Sequence, residues 1–171
     1  YYHPSNSYIF LYGDLDIDAM LAFIDGEYLS KFTATHIASE ISRQACPGSI
    51  VKTYPYGVAN GEKTEQKTLH SLTYVVDDAL DTTLALAFKT LTYALLLSPA
   101  APLKKALVDA GLGQDISGDF QNGLLQPLWG ISINGSDPDK QAQILPVVRK
   151  ALTDLVTKGI DRTLLTGALN R

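Results

Sequence analysis

The order in which strand-like and helix-like patterns follow one another limits most strongly what this chain can fold into. Alternating or β-branched runs predict strands, and apolar residues at helical spacing predict helices. Along the sequence, these patterns predict one strand, one helix, two strands, two helices, two strands and two helices. No linker or low-complexity stretch interrupts the series. The order indicates one α+β domain over residues 1–171, with an antiparallel or mixed β-sheet and helices packed on one face.

The predicted strands are short and rich in β-branched and aromatic residues. They cover residues 7–12, 49–56, 67–76, 113–121 and 126–134. The polar segment 57–66 predicts a hairpin-like turn, which would pair the second strand with the third. Pro55 cannot donate to a ladder, so its end of the second strand should lie at a sheet edge. The remaining irregular stretches are a connector at 33–48, with a helical turn at 37–41, and a turn at 134–136.

The predicted helices are marked by the residues that begin and end them. They cover residues 16–30, 82–97, 102–110, 137–159 and 162–169. Suitable N-caps are Asp16, Asp81 and Asp161, and the glycines expected to end helices are Gly111 and Gly159. Helix 82–97 is apolar nearly all round, which predicts burial on several faces. Pro146 removes one backbone hydrogen bond, so a kink is expected in the fourth helix.

The composition argues against several classes of protein. Apolar residues make up 46% and charged residues 19%, which is sufficient for a packed core. A net charge of -4 argues against a nucleic-acid partner, which a basic surface would attract. The longest apolar stretch, 84–97, is interrupted by Lys89 and is shorter than the ~20 residues needed to span a bilayer, so no membrane contact is expected.

The cysteine content and the first residues indicate the cellular compartment and whether the sequence is part of a longer chain. The single cysteine, Cys46, excludes an internal disulfide and a cysteine-rich zinc site, and it fits a reducing compartment. We therefore expect a cytoplasmic protein, or an organelle-matrix protein if the source is eukaryotic. The chain begins at Tyr1 rather than Met, without a basic and then apolar leader. The expectation is an excised piece of a longer chain.

No catalytic or metal-binding constellation stands out in the sequence. His3, His36 and His70 form neither the zinc-binding His-Glu-x-x-His motif nor its inverted form, and a zinc site needs at least three convergent ligands. Segment 57–64 resembles a phosphate-binding loop, but its glycines are separated by three residues rather than four, and Glu62 follows the second one. We predict no catalytic or metal-binding residue here, and the substrate-binding residues stay unassigned.

Acidic residues cluster at two predicted strand–helix junctions. The clusters consist of Asp14, Asp16 and Asp18, and of Asp77, Asp78 and Asp81. Carboxylates at these positions stabilise the positive end of the following helix. A calcium loop would need a longer run of oxygen ligands and a closing Glu, so we interpret both clusters as local helix-start features.

Two segments resemble a known family. The opening Tyr1-Tyr2-His3-Pro4-Ser5-Asn6, and the helix and Gly-Leu-Gly turn at 102–113, resemble the second domain of presequence proteases. These enzymes belong to the pitrilysin/insulinase family of zinc metallopeptidases. The resemblance extends over essentially the whole chain. It departs at 98–101, where Ser-Pro-Ala-Ala stands in place of the family's frequent Gly-Pro turn.

The resemblance implies a mitochondrial processing peptidase-like domain fold and a non-catalytic role. Family members consist of two halves that close like a clamshell around a peptide chamber, and their zinc motif lies in an upstream domain. No position here matches a zinc ligand or catalytic residue, so zinc is expected only in that upstream domain. The implied partners are the upstream catalytic domain, the downstream half and unfolded peptide substrates. This segment would support the catalytic domain and form part of the chamber wall.

Two alternatives stay open. The chain could be a pseudo-peptidase interaction module that pairs with an active subunit. It could also be an independent small enzyme, although that would require a site that the sequence does not reveal. An inverted zinc motif upstream of Tyr1 would favour the non-catalytic domain of an active peptidase, and its absence would favour the pseudo-peptidase.

Overall fold

The chain consists of two compact units, Tyr1–Gln44 and Ala45–Arg171. The structure, a computed structural model, describes residues 1–46, 48–76 and 79–170. Pro47, Asp77, Asp78 and Arg171 lie outside the described residues, and so does most of the second predicted acidic cluster. The prediction of a single domain over 1–171 stays a prediction.

The first unit is built around one capped helix. Helix α1 covers Ile17–Glu27, and the Asp16 carboxylate accepts a hydrogen bond from the Ala19 N–H at 3.0 Å, as the sequence predicted. The helix ends before the predicted residue 30, and a 3₁₀ turn follows at Leu29–Lys31. The predicted helical turn at 37–41 is absent.

The opening hexapeptide ties the start of the first unit to its connector. Residues Pro4–Asn6 form a 3₁₀ turn. The Ser5 hydroxyl accepts from the Thr35 N–H at 3.1 Å, and the Asn6 side-chain oxygen accepts from the Ser39 hydroxyl at 2.7 Å. The opening hexapeptide, the most specific part of the resemblance, therefore has a structural role.

The predicted strand at 7–12 does not form. Its backbone is irregular, and the large side chains of Tyr8, Phe10 and Tyr12 are almost fully exposed. A strand requires a neighbour that pairs with its N–H and C=O groups. The described part of the first unit contains no other strand, so the β-pattern alone could not order this segment.

The second unit contains a three-stranded antiparallel sheet. Its strands are β1 (Thr68–Val75), β2 (Asp115–Gln121) and β3 (Leu128–Ser136), in the order β1-β3-β2. The central strand β3 aligns Ile131 with Leu72 of β1 and with Gly118 of β2. Residues 134–136, predicted as a turn, instead continue β3 to Ser136.

The predicted strand at 49–56 also fails to form. Strand β1 pairs with β3, more than fifty residues away along the chain, rather than with the segment that precedes it. The polar stretch 57–66 is a loop as predicted, but it does not join two paired strands. The predicted hairpin is therefore wrong for this structure.

Among the described residues of this unit, four helices accompany the sheet. They are α2 (Thr82–Thr92), α3 (Pro102–Asp109), α4 (Gln141–Lys158) and α5 (Arg162–Leu169). A π-helical turn, Tyr93–Leu97, extends α2, and a 3₁₀ turn, Pro138–Lys140, precedes α4. The predicted N-caps Asp81 and Asp161 accept hydrogen bonds from backbone N–H groups at 2.8 and 2.7 Å. Helix α4 continues through Pro146.

The core lies between the sheet and these helices. Trp129, Ile131 and Ile133 alternate along β3 toward it, and the deepest helical residues are Leu96, Leu103, Leu107 and Val148. Burying each such side chain stabilises the fold by about 1.5–3 kcal/mol. The predicted α+β class, with helices on one sheet face, is confirmed, and the sheet is antiparallel.

The core helices include one stretch that could cross a membrane by length and composition alone. It is Thr82–Asp109, with a mean hydropathy of 1.4 over its most apolar window. This finding differs from the sequence expectation that no stretch is long and apolar enough. Buried core helices of soluble proteins meet the same criterion, and much of this stretch packs on the sheet. The absence of a membrane partner stays a prediction.

Candidate functional site

The face of the sheet that points away from the core carries small polar side chains at its centre. The register aligns Ser71, Ser132 and Ser117 in one row across all three strands. The next row holds Thr73, Gly130 and Asp119. All of these positions alternate with core positions, so their side chains project from the opposite face of the sheet. We call the face that these side chains form the open face.

Asp119 is held in a defined position on the open face. Its Oδ2 accepts a hydrogen bond from Gln121 Nε2 at 2.9 Å. Its Oδ1 lies over Gly130, where an added Cβ would come within 2.5 Å of that oxygen. Glycine at 130 therefore leaves room for the carboxylate to lie flat on the sheet.

An apolar groove is found on the core side of the same unit. It has a volume of about 580 Å³, and Arg149 is the charged residue in its lining. The other lining residues are Tyr74, Val75, Val76, Leu84, Phe88, Trp129, Leu145, Val148 and Leu152. Trp129 Nε1 donates to Thr92 Oγ1 at 3.0 Å, and the Trp129 ring lies 5.7 Å from that of Tyr74. This hydrogen bond satisfies the one polar atom of the buried indole.

The Gly-Leu-Gly turn has a structural role. Gly111 adopts a positive φ of 64° just after α3, and Lys140 Nζ donates to its carbonyl at 2.7 Å. Leu112 is buried, and Gly113 lies so close to β3 that an added Cβ would be 2.5 Å from Ile133 Cγ2. The three residues end a helix and pass directly under the sheet, so they form no dinucleotide site.

The loop that resembles a phosphate-binding loop is closed by its own carboxylate. Glu62 accepts from the Ala59 N–H at 3.1 Å and from Lys67 Nζ at 2.6 Å. The hydrogen bond from Lys67 lowers the pKa of Glu62, and Glu62 in turn raises the pKa of Lys67. A carboxylate occupies the place that a phosphate would need, in agreement with the interpretation as a turn.

The histidines are dispersed, and His3 and His70 have local hydrogen-bond partners. In the first unit, His3 Nδ1 accepts from the Ser5 N–H at 3.1 Å, and His36 is exposed. In the second unit, His70 Nε2 lies 3.1 Å from the Asp137 carbonyl and donates to it. Cys46 is exposed. Within the described ranges, no three His, Cys, Asp or Glu side chains are placed to hold a metal ion, so these residues do not fit a zinc site.

The whole sequence, residues 1–171, matches the family model described as Peptidase M16 inactive domain. The chain belongs to this family. The resemblance to the second domain of presequence proteases is thereby confirmed, and with it the assignment as a non-catalytic peptidase domain.

Relatives of this inactive domain are much longer proteins. Protein HypA of Clostridium perfringens is 44% identical over 172 residues, which are 100% of this chain and 18% of that protein. Presequence protease 1, chloroplastic/mitochondrial, of Arabidopsis thaliana is 31% identical over 176 residues, which are 99% of this chain and 16% of that protein. The chain therefore spans less than a fifth of the length of these curated relatives.

A solved structure supports the same fold. The inactive peptidase domain of a proposed zinc protease from Bordetella parapertussis superposes with a TM-score of 0.51 at 20% identity. The match covers 58% of this chain and 54% of that one. At this identity the likeness concerns the fold alone.

The open face and the groove were not predicted from the sequence. The sequence does contain one signal for the open face, because polar residues alternate with apolar ones within 115–121 and 128–136. The row of serines depends on which strands are neighbours, and the groove depends on β1, α2 and α4 each contributing residues to one lining. Neither relation can be obtained from one segment of sequence.

Proposed function

We propose that this domain supports the catalytic domain of a longer zinc metalloendopeptidase that degrades unfolded peptides, and that its open face forms part of the chamber wall. The observation that carries the proposal is the one-sided sheet. Helices and core cover one face, while the other presents a row of Ser71, Ser132 and Ser117 beside Asp119. In this arrangement the helices form the outside and the open face lines the peptide space.

The chemistry of the open face suits such a wall. Its serine and threonine hydroxyls both donate and accept hydrogen bonds, so the centre of the face stays hydrated. The exposed apolar side chains of this face, Leu69 and Val75, lie on the outer strand β1. The wall would confine the peptide and limit bulk water without any reacting side chain. Confinement of this kind favours reaction by holding substrate near the catalytic groups.

The proposed zinc belongs to the upstream domain. The described residues of this chain do not fit the metal, and no step of hydrolysis is assigned to them. In that domain, zinc would polarise the water and the scissile carbonyl. We also propose a cytoplasmic or organelle-matrix location, supported only by the single exposed Cys46.

The decisive experiment changes the wall in the longer protein. Ser132→Trp places a large ring at the centre of the open face, and Val156→Trp places the same ring on α4, at a residue that is already 86% exposed. We expect Ser132→Trp to reduce kcat/KM for a long unfolded peptide severalfold and to spare a short peptide. We expect Val156→Trp to leave both unchanged. Equal effects of the two variants would contradict the chamber-wall role.

The pseudo-peptidase alternative has its own readout. Metal analysis and a peptidase assay on the longer protein separate the two readings, because a pseudo-peptidase would bind no zinc and cleave nothing alone. For the 171-residue chain alone we expect no stoichiometric zinc and no turnover. One zinc per chain, together with activity, would instead support an independent enzyme.

A further inference from the structure

Strand β1 has a free edge. The sheet order is β1-β3-β2, so β1 pairs with β3 on one side only. Within the described part of the chain, no strand pairs with its other side. A free edge presents a row of N–H and C=O groups that can accept another strand.

The segment 49–56 lies in the same unit and has the character of a missing strand. Its sequence alternates, with Ile50, Lys52 and Tyr54 on one set of positions and Val51 and Thr53 on the other. The segment is irregular, and its large apolar side chains are uncovered. Their exposed fractions are 59% for Ile50, 73% for Val51, 73% for Tyr54 and 60% for Tyr56. Apolar side chains in a strand-forming pattern gain free energy when a neighbouring surface covers them.

The loop between this segment and β1 is already closed. The Tyr56 hydroxyl donates to the Lys67 carbonyl, directly before β1 begins. Lys67 Nζ donates to Glu62 at 2.6 Å, and the Glu62 N–H donates to the Ala59 carbonyl at 3.0 Å. The Tyr56–Lys67 contact places the end of the segment beside the start of β1, so part of the loop-closure entropy is already lost before the two segments pair.

We propose that residues 49–56 add to the free edge of β1 as a fourth, antiparallel strand, in a second conformation of this unit. A register that places Tyr56 opposite Lys67 aligns Tyr54 with Leu69 and Val51 with Leu72. Tyr54 then covers a leucine that is 57% exposed, and Val51 extends the core face of the sheet.

The composition of the segment suits the new edge position. Pro55 is acceptable only in an edge strand, because it has no N–H for a second neighbour. Lys52 brings a charge to the new edge, which discourages further strand addition. The proposal does not depend on the chamber-wall function, although the added strand widens the open face.

Disulfide trapping tests the pairing. In the 171-residue chain with Cys46→Ser, one variant carries Val51→Cys and Leu72→Cys, which the register places side by side. The matched control carries Lys52→Cys and Leu72→Cys, which lie on opposite faces of the sheet. A disulfide requires Cα atoms about 4.4–6.8 Å apart and converging Cβ atoms. Mild oxidation should link most of the first variant and at least about tenfold less of the control.

A second cysteine pair avoids replacing the half-buried Leu72, whose loss could itself destabilise the variant. Ile50→Cys with Thr73→Cys uses exposed positions that the same register aligns on the open face. We expect this pair to form the disulfide as well, with an unfolding midpoint before oxidation equal to that of the Cys46→Ser parent. Absence of the link in both register pairs, or equal linking in the control, would overturn the proposal.

Discussion

Gly118 sets how closely the π-helical turn after α2 approaches the sheet, and its replacement by Ala is the sharpest test of the core. An added Cβ would be 3.2 Å from Leu96 Cβ and 3.1 Å from the Gly130 carbonyl oxygen, and it would overlap Leu96 Cδ1. Leu96 is fully buried, so its side chain has no free space to turn into. The added methyl group must therefore displace either the Leu96 side chain or the helical turn that carries it.

The expected loss for Gly118→Ala combines two effects. Overpacking a core costs about 1–3 kcal/mol. Replacing a strand glycine by alanine returns about 0.5–1 kcal/mol, because alanine loses less backbone entropy on folding. The net expectation is a loss between about 0 and 2.5 kcal/mol, which places Gly118→Ala below the stability of a strain-free glycine replacement. Leu96→Ala alone should cost about 2–5 kcal/mol, because it leaves a cavity in the core.

The double variant separates steric overlap from other causes. In Gly118→Ala with Leu96→Ala, the new methyl group enters the space that Leu96 leaves. The combined loss should therefore fall short of the sum of the two single losses by about 1 kcal/mol or more. Urea unfolding followed by Trp129 fluorescence measures this, since Trp129 is the single tryptophan and is 7% exposed.

Gly167→Ala in α5 is the matched control. It makes the same chemical change where an added Cβ meets nothing within 4 Å, so it should stabilise the protein by up to about 1 kcal/mol. The steric explanation would be refuted if Gly118→Ala stabilised the protein as much as Gly167→Ala, or if the two core substitutions were additive.

Three further predictions concern other parts of the chain. Thr92→Val removes the acceptor of the Trp129 indole N–H, so it should cost about 1–3 kcal/mol in the same urea assay; a loss below about 0.5 kcal/mol would contradict a stabilising role for this bond. Hydrogen bonds from the Leu164 and Thr163 N–H groups lower the pKa of Asp161 below its value in the unfolded chain. The ionised Asp161 therefore stabilises the fold at pH values above the unfolded pKa, and this contribution is lost as the pH falls through the folded pKa. Unfolding midpoints measured across the acid range should show this loss in the wild type and less of it in Asp161→Asn; identical profiles would contradict it. The exposed Tyr8, Phe10 and Tyr12 should cause association, so the apparent mass in sedimentation velocity should rise above the monomer's 18.5 kDa as concentration increases. Phe10→Ser with Tyr12→Ser should reduce this rise. A strict monomer at high concentration would count against the expectation.

The helices were predictable because their signals are local. The caps at Asp16, Asp81 and Asp161 act on N–H groups two or three residues away. Gly159 ends α4 through its own positive φ of 83°. Such contacts depend on a few consecutive residues, so a short window of sequence contains the information. The predicted α4 start was early because Asp137 and Pro138 lead into a 3₁₀ turn rather than directly into the α-helix.

The predicted strands that formed are those with a partner strand available. Segments 68–75, 115–121 and 128–136 pair with one another, while the equally β-like 7–12 and 49–56 remain unpaired in this structure. A strand is stabilised by hydrogen bonds and packing to a neighbour that is distant along the chain. Its pattern indicates the capacity to pair and leaves the choice of neighbour open.

The residues alone indicated the family through a resemblance, the α+β class through the order of the elements, and the helix caps Asp16, Asp81 and Asp161. The caps depend on residue identity at short spacing, so a short segment contains their signal. Three other features depend on how the folded chain packs: β1 lies against β3, three serines form one row, and Tyr74, Phe88 and Leu145 line one groove. Those relations join residues that are far apart in sequence, and the competition among alternative partners for the same buried surface selects them.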